Sequence, residues 1–283
     1  TINKEGNKVA FLADTNSDKK ADKNYTLYSW NSKDEKANLI VENTDAAFPE
    51  NWEISSNGKL SFAPKTNRVF FGIAPIKAKK DTTVLEEDIP LLDVWHWNED
   101  VLQTVQINRK KRDLEKSYLS VYHPNQQKVT LLENPNFSGI SLIKKGDDNQ
   151  AIAWSNKPYA VQTMYEGSPE HNDFYLVDMN SGEAKQIVKD CRATPQVSPA
   201  GNYLFWFTPM DTSWNTYKLS NTTFFNSNLV SSYKMLNCVP TIPATSELIE
   251  NITSPSTISD TKSTFCWIGV YLALDARGDE LPI

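Results

Sequence analysis

The chain has 283 residues, a net charge of −6, 39% hydrophobic and 11% aromatic residues. This length and apolar content fit one large all-β domain or two small domains with a real core. The mild acidity argues against a nucleic-acid surface, which needs a basic face, and no apolar run approaches the ~20 residues of a membrane span.

In chain order, one phrase repeats: a glycine turn, an alternating strand, a polar turn and a second alternating strand. It opens at Glu5-Gly6-Asn7-Lys8-Val9-Ala10-Phe11 and continues through Tyr25–Trp30 and Ala37–Val41. It restarts at Ser55-Ser56-Asn57-Gly58-Lys59-Leu60-Ser61-Phe62 and runs on through Tyr118–Tyr122 and Lys128–Leu132. Further copies are Gly146 to Trp154 with Phe174–Asp178 and Ala184–Val188, then Val197–Phe207 with Thr216–Leu219. Period-2 alternation rich in aromatic and β-branched residues predicts half-buried strands. Repetition at roughly 40–55 residues predicts four-stranded propeller blades. The longer gap from Gly58 to Gly146 predicts an insertion in that blade.

These signals predict an all-β fold, a β-propeller of four-stranded antiparallel blades forming an incomplete arc of about four to five. The blade-like units are read at 3–43, 52–134, 138–189 and 195–230, together 1–230. Residues 231–283, broken by Pro240, Pro243 and Pro255, read as an irregular, incomplete further blade. Thr1 falls inside a blade-opening turn, so the chain reads as cut at its start and the lack of a signal peptide does not bear on export. Helix signals are few, the best being Asn108 to Lys116 within the insertion.

Chemistry-bearing motifs are sparse. Gly139-Ile140-Ser141-Leu142-Ile143 lacks the second glycine of a nucleophile elbow and reads as strand. The three histidines are scattered: His96 in the alternating stretch Asp93–Trp97, His123 at a strand end, and His171 in a loop. Each reads as structural or surface, because no base, orienting group and nucleophile cluster in the sequence. Asp14–Asp22 carries oxygen side chains at alternate positions, as a calcium loop does. Lys19 stands where glycine is wanted and Tyr25 where a bidentate Glu is wanted, so the polar-loop reading competes with the calcium one. Arg109-Lys110-Lys111-Arg112 with Lys116 reads as a solvated helix face, with contact to another domain or an anionic ligand as the alternative. Trp95, Trp97, Trp206 and Trp214 read mainly as packing between blades. Cys191, Cys238 and Cys266 are too few for a disulfide framework and read as small buried residues, with one disulfide left open. The sequons at Asn24, Asn136, Asn221 and Asn251 decide nothing. No catalytic residue, cofactor-binding residue or metal ligand is assigned.

Several stretches carry a family likeness: Ile54–Phe62, Arg68-Val69-Phe70-Phe71-Gly72-Ile73-Ala74-Pro75, Lys80-Asp81-Thr82-Thr83, Asp93-Val94-Trp95-His96-Trp97 and Lys116–Tyr122. With Val197–Trp214 they resemble the N-terminal β-propeller region of bacterial serine peptidases of the prolyl oligopeptidase family, over about residues 1–220. The resemblance implies a propeller that covers an α/β-hydrolase domain and filters substrates by size. No residue here matches the hydrolase motifs, so no catalytic residue carries over. The expectation is a non-catalytic propeller portion of an exported peptidase. Its partners would be an α/β-hydrolase domain of the same parent chain and a peptide substrate, with no nucleic acid and no membrane span. A free-standing propeller that binds a peptide, glycan or protein is the alternative. Fold likeness alone does not establish either activity.

Overall fold

Alternating apolar residues must pair their backbones and bury one face, and here they do so in antiparallel hairpins joined in chain order. The computed structural model describes residues 1–14, 16, 23–43, 45–77, 94–208, 213–219 and 223–227. Contacts divide the chain into two compact units, the first Thr1–Asp190 and the second starting at Cys191.

The first unit holds three sheets. The first sheet is β1 (Lys8–Asp14), β2 (Tyr25–Asn31) and β3 (Asn38–Val41), in that order. Where the sequence predicts four strands, this sheet has three and the beginning of a fourth. Ile2 bridges Val9, and Thr1 and Ala10 exchange backbone hydrogen bonds of 2.8 and 2.9 Å.

The second sheet is built from β4 (Trp52–Ile54), β5 (Ser61–Phe62), β6 (Val69–Pro75), β7 (Tyr118–His123) and β8 (Lys128–Leu131). Its path is β4-β6-β7-β8, and β5 pairs with the other end of β6. β4 and β5 are thus two halves of one edge strand, parted by the turn at Gly58. That turn lies on Gly72 of β6: a Cβ on Gly58 would sit 2.4 Å from the Gly72 Cα, so only glycine fits. The third sheet is β9 (Gly139–Leu142), β10 (Gln150–Ser155), β11 (Asn172–Asp178) and β12 (Ala184–Cys191), in the order β12-β11-β10-β9.

The sheets stack face to face. Ala10, Leu27 and Val41 of the first sheet pack on Ile54, Val69, Phe71, Ile73, Tyr122 and Val129 of the second. The opposite face of the second sheet turns Phe70 and Val121 toward Ala151, Ala153, Val177 and Met179 of the third. β6 is therefore covered on both sides, which explains its unbroken apolar run Val69–Ala74 where a half-exposed strand would alternate. Successive antiparallel meanders stacked through their faces are β-propeller blades, as the repeat predicts.

The second unit contributes β13 (Gln196–Val197), β14 (Tyr203–Thr208), β15 (Ser213–Lys218) and β16 (Thr223–Ser227), a four-stranded meander in chain order. Its opening turn has Gly201 at φ +73°, and the Ser198 Oγ accepts from the N–H groups of Asn202 and Tyr203, both at 3.1 Å. The predicted blade over 231–283 lies outside the described residues, as do Cys238, Cys266, Asn221, Asn251 and most of the Asp14–Asp22 loop.

Among the described residues, two α-helices interrupt the hairpins. α1 (Gln103–Leu114) lies in the β6–β7 connection and α2 (Ala160–Glu166) in the β10–β11 connection, entered through a 3₁₀ turn at Lys157–Tyr159. α1 begins five residues before the predicted Asn108, without a side-chain cap, so no sequence signal marked its start. α2 was not foreseen; the Pro158 that opens its 3₁₀ turn is the signal that points to it. The stretch around Trp95 is not the predicted strand. Val94 to His96 run without regular structure, a turn follows at Trp97, and both tryptophans are solvent-exposed.

Candidate functional site

The connections between strands sort to the two ends of the first unit. At one end the β5–β6 turn meets the loop before β10: the Asp147 carboxylate accepts from the N–H groups of Lys65 (2.7 Å) and Thr66 (2.9 Å). There too the His123 Nε2 donates to the Met179 carbonyl at 2.9 Å, and the Asn3 side-chain amide donates to Asn67 at 3.1 Å. Partial burial alone pushes the Asp147 carboxyl up. The Thr66 and Lys65 N–H groups, the Thr66 hydroxyl and the Lys65 charge outweigh it and hold the carboxyl below its ordinary range.

At the other end lie the connections that carry α1 and α2. Lys116, just past α1, donates to the Phe137 carbonyl at 3.1 Å and stands 4.9 Å from the Tyr118 ring centroid. Burial lowers the Lys116 pKa, with the Lys157 charge acting the same way and Glu133 opposing. Burial likewise raises Glu133, although its carboxylate accepts from the Leu119 N–H at 3.2 Å. Lys157, at the start of the α2 connection, donates to the Pro135 carbonyl, so the two insertions are rooted side by side.

This end carries most of the exposed large apolar side chains among the described residues. Trp97 is 90% exposed, Trp95 66%, Leu114 59%, Ile107 49% and, on α2, Tyr165 87%. α1 buries no residue of its own. Ile107 and Leu114, seven apart, share one face of α1, and Lys110 and Lys111 flank that face at helical spacing. The basic run thus lies on a solvated helix, as its sequence reads, and beside it stands an aromatic and apolar surface that the packing reading of Trp95 and Trp97 missed. Trp206 does pack inside, at 4% exposure, and Trp214 lies 5.4 Å from Phe207 between ring centroids.

His171 is the residue whose surroundings the sequence hid most. It is buried, with Nδ1 on Asp190 and Nε2 3.1 Å from Glu166 at the end of α2. Gln162 approaches the same Nε2 at 3.3 Å. Tyr159 donates to Asp173 at 2.7 Å, and the Asp190 N–H donates to the same carboxylate at 2.9 Å. Burial and Asp173 push the Tyr159 phenol well above its usual range. Asp190 is held at φ +52°, a left-handed position uncommon for a residue with a Cβ. These residues lie up to 31 positions apart and converge only because β11 and β12 are neighbours, a pairing that no local spacing encodes. The cluster fastens α2 to the end of β12.

The remaining sequence candidates fall apart in space. Ser141 sits in β9 opposite Ile152. The His96 Nδ1 accepts only from the N–H of Asn98, at 3.2 Å, among the described residues, and its ring stacks on Trp97. Cys191 is buried at the end of β12. Asn24 and Asn136 are both exposed.

No protein-family model matches the chain, and no curated protein matches it in sequence. Solved structures that are similar to it include several peptidases and TolB proteins. The β-propeller domain of the Trilobed protease from Pyrococcus furiosus is similar at 13% identity, over 79% of this chain and 54% of that one, with a TM-score of 0.37. The acylaminoacyl peptidase of Pyrococcus horikoshii is similar at 10% identity, over 78% of this chain and 30% of that one, with a TM-score of 0.34. A prolyl endopeptidase is similar at 8% identity, over 72% of this chain and 26% of that one, with a TM-score of 0.33. The chain therefore spans from about a quarter to just over half of these proteins' length.

Proposed function

We propose that this chain is the non-catalytic propeller portion of an exported serine peptidase of prolyl-oligopeptidase type, which limits access to an α/β-hydrolase domain. The observation that carries this reading is the asymmetry of the first unit. One end is closed by polar turn-to-turn contacts, and the other presents exposed tryptophans and an apolar helix face flanked by lysines. A surface of this kind is a docking face, since scattered apolar residues are ordinary but a concentration beside one pair of connections is not. The resemblance of Ile54–Pro75 and Lys116–Tyr122 to peptidase propellers supplies the kind of domain that docks there. The propeller's part is to admit extended peptide and to exclude folded protein by size. The reading assigns this chain no acyl-transfer chemistry of its own, because its sequence lacks a nucleophile elbow.

The test is made on the natural gene product that contains these residues. The reading frame is expected to encode Gly-x-Ser-x-Gly with later Asp and His, and a fluorophosphonate probe is expected to label that serine and no serine of this chain. Removing the propeller is expected to let the hydrolase domain cleave larger substrates while small chromogenic peptides are turned over as before. A frame that encodes no hydrolase, or labelling at Ser141, refutes the proposal and leaves a free-standing binding propeller in its place.

A further inference from the structure

The polar end of the first unit holds a cavity of about 310 Å³, closed by the β5–β6, β7–β8 and β11–β12 turns. Lys65 and Arg68 line it, with Thr66, Asn67, Asn125 and His123, and no Asp or Glu is among its lining residues. Arg68 is fixed in place. Its Nη1 donates to the carbonyls of Asp148 (2.6 Å) and Gly146 (3.4 Å) and reaches the Met179 Sδ at 3.6 Å, and its Nη2 donates to the Asn149 amide oxygen. Every one of these partners is neutral, so the guanidinium is held rigidly while its charge meets no carboxylate among the described residues. Nearby Lys128 is likewise spent on a neutral acceptor, the Asn180 carbonyl at 3.0 Å. Two acids stand near this corner and both are engaged by backbone donors: Asp147 by the N–H groups of Lys65 and Thr66, and Asp178 by those of Asn180 and Ser181. Burial lowers the His123 pKa first; the bond to Met179 and the Asp178 charge resist, and Arg68 and Lys128 push it further down. A cationic recess in a chain of net charge −6 is not a by-product of composition.

We infer that this cavity binds a small oxyanion, a carboxylate or a phosphate group. The fixed guanidinium and the Lys65 ammonium supply charge-assisted donors. The amides of Asn67 and Asn125 supply neutral ones. The inference stands apart from the peptidase reading: a binding propeller of any other role would carry the same site.

The His123 imidazole carbon signals in NMR are the reporter. The chain is titrated with inorganic phosphate, with N-acetyl-diglycine as its free carboxylate, and with the amide of that peptide, at constant ionic strength made up with chloride. Saturable shifts with phosphate, with the carboxylate or with both, and none with the amide, are expected; which of the two binds assigns the site to phosphate or to carboxylate groups. Lys65→Glu keeps the backbone N–H that Asp147 accepts from and is expected to weaken binding about tenfold or more while a cooperative melt is retained. Arg68→Lys is expected to weaken it too, but this residue also ties two sheets together, so Lys65→Glu is the deciding variant. Shifts that follow chloride as they follow the other anions, equal shifts with the amide, or unchanged affinity in Lys65→Glu overturn the inference.

Discussion

Glu133 shows how one side chain can cost and contribute at the same site. Its carboxylate is buried and its pKa raised, so the folded state favours the protonated acid. The stability that it contributes is complete below the ordinary carboxyl pKa of ~4.3 and falls as pH rises through the folded-state value. Glu133→Gln keeps an acceptor for the Leu119 N–H and removes the charge. It is expected to melt at or above the parent at pH 7, and the difference should vanish near pH 4. Glu133→Ala leaves that N–H unsatisfied and is expected to lose about 1–3 kcal/mol at either pH. Thermal melts of the three proteins at both pH values check this. Asp147 has the opposite sign. Its folded-state pKa is depressed, so the tie between the β5–β6 turn and the loop before β10 is fully present above the ordinary carboxyl pKa of ~3.9 and is lost as pH falls through the lower folded value. Asp147→Asn is therefore expected to destabilise at pH 7 and to converge on the parent in acid. A gap that widens as pH falls would refute the assignment.

At the scale of elements, strands were legible and the insertions only in part: the one that carries α1 was expected, and the one that carries α2 was not. β1, β2, β7, β11 and β14 were legible because each is a short run rich in aromatic and β-branched residues bounded by turn signals. Trp95 and Trp97 break that logic. Their alternation with Val94 and His96 reads as a strand, but among the described residues no strand covers them, and without a burying partner the period has no structural consequence. α1 hid its first turn because Thr104, Val105 and Ile107 lower helix propensity and no cap precedes them. The site around His171 was invisible for another reason: its members meet through strand pairing, which joins distant residues without a local signature. The independence of α1 from the core makes a clear expectation. Replacing 95–114 by a short Gly/Ser turn should change stability by no more than about 0.5–1 kcal/mol, as for other surface changes, since the helix buries nothing. A loss of cooperative melting would show that the insertion supports the blades after all.

For the molecule as a whole, the exposed apolar end decides behaviour in solution. Made alone, the chain is expected to self-associate, through that end and through the free edge of the three-stranded first sheet. Light scattering during size exclusion across a concentration series reads this directly. The variant lacking 95–114 should associate more weakly at every concentration. A strictly monomeric parent at all concentrations would mean that the surface needs no partner, and would count against the docking face on which the peptidase reading rests. Gly146 gives an independent check on the blade stacking. It lies at φ +94°, and a Cβ there would fall 2.3 Å from the Phe70 ring, so Gly146→Ala is expected to lower the melting temperature through both backbone strain and a displaced ring.

β6 has a further consequence. Consecutive residues of that one strand answer to different neighbours: Phe71 belongs to the interface with the first sheet and Phe70 to the interface with the third. The strand is thus a shared wall, and nearest-neighbour coupling in a stacked array runs through it. Loosening either side removes support that the other side uses, so the three sheets should lose protection from hydrogen exchange together and not one at a time. Cooperativity in this unit is a property of a six-residue stretch with two audiences, and a polar substitution at either phenylalanine would be felt in the sheet that it does not touch.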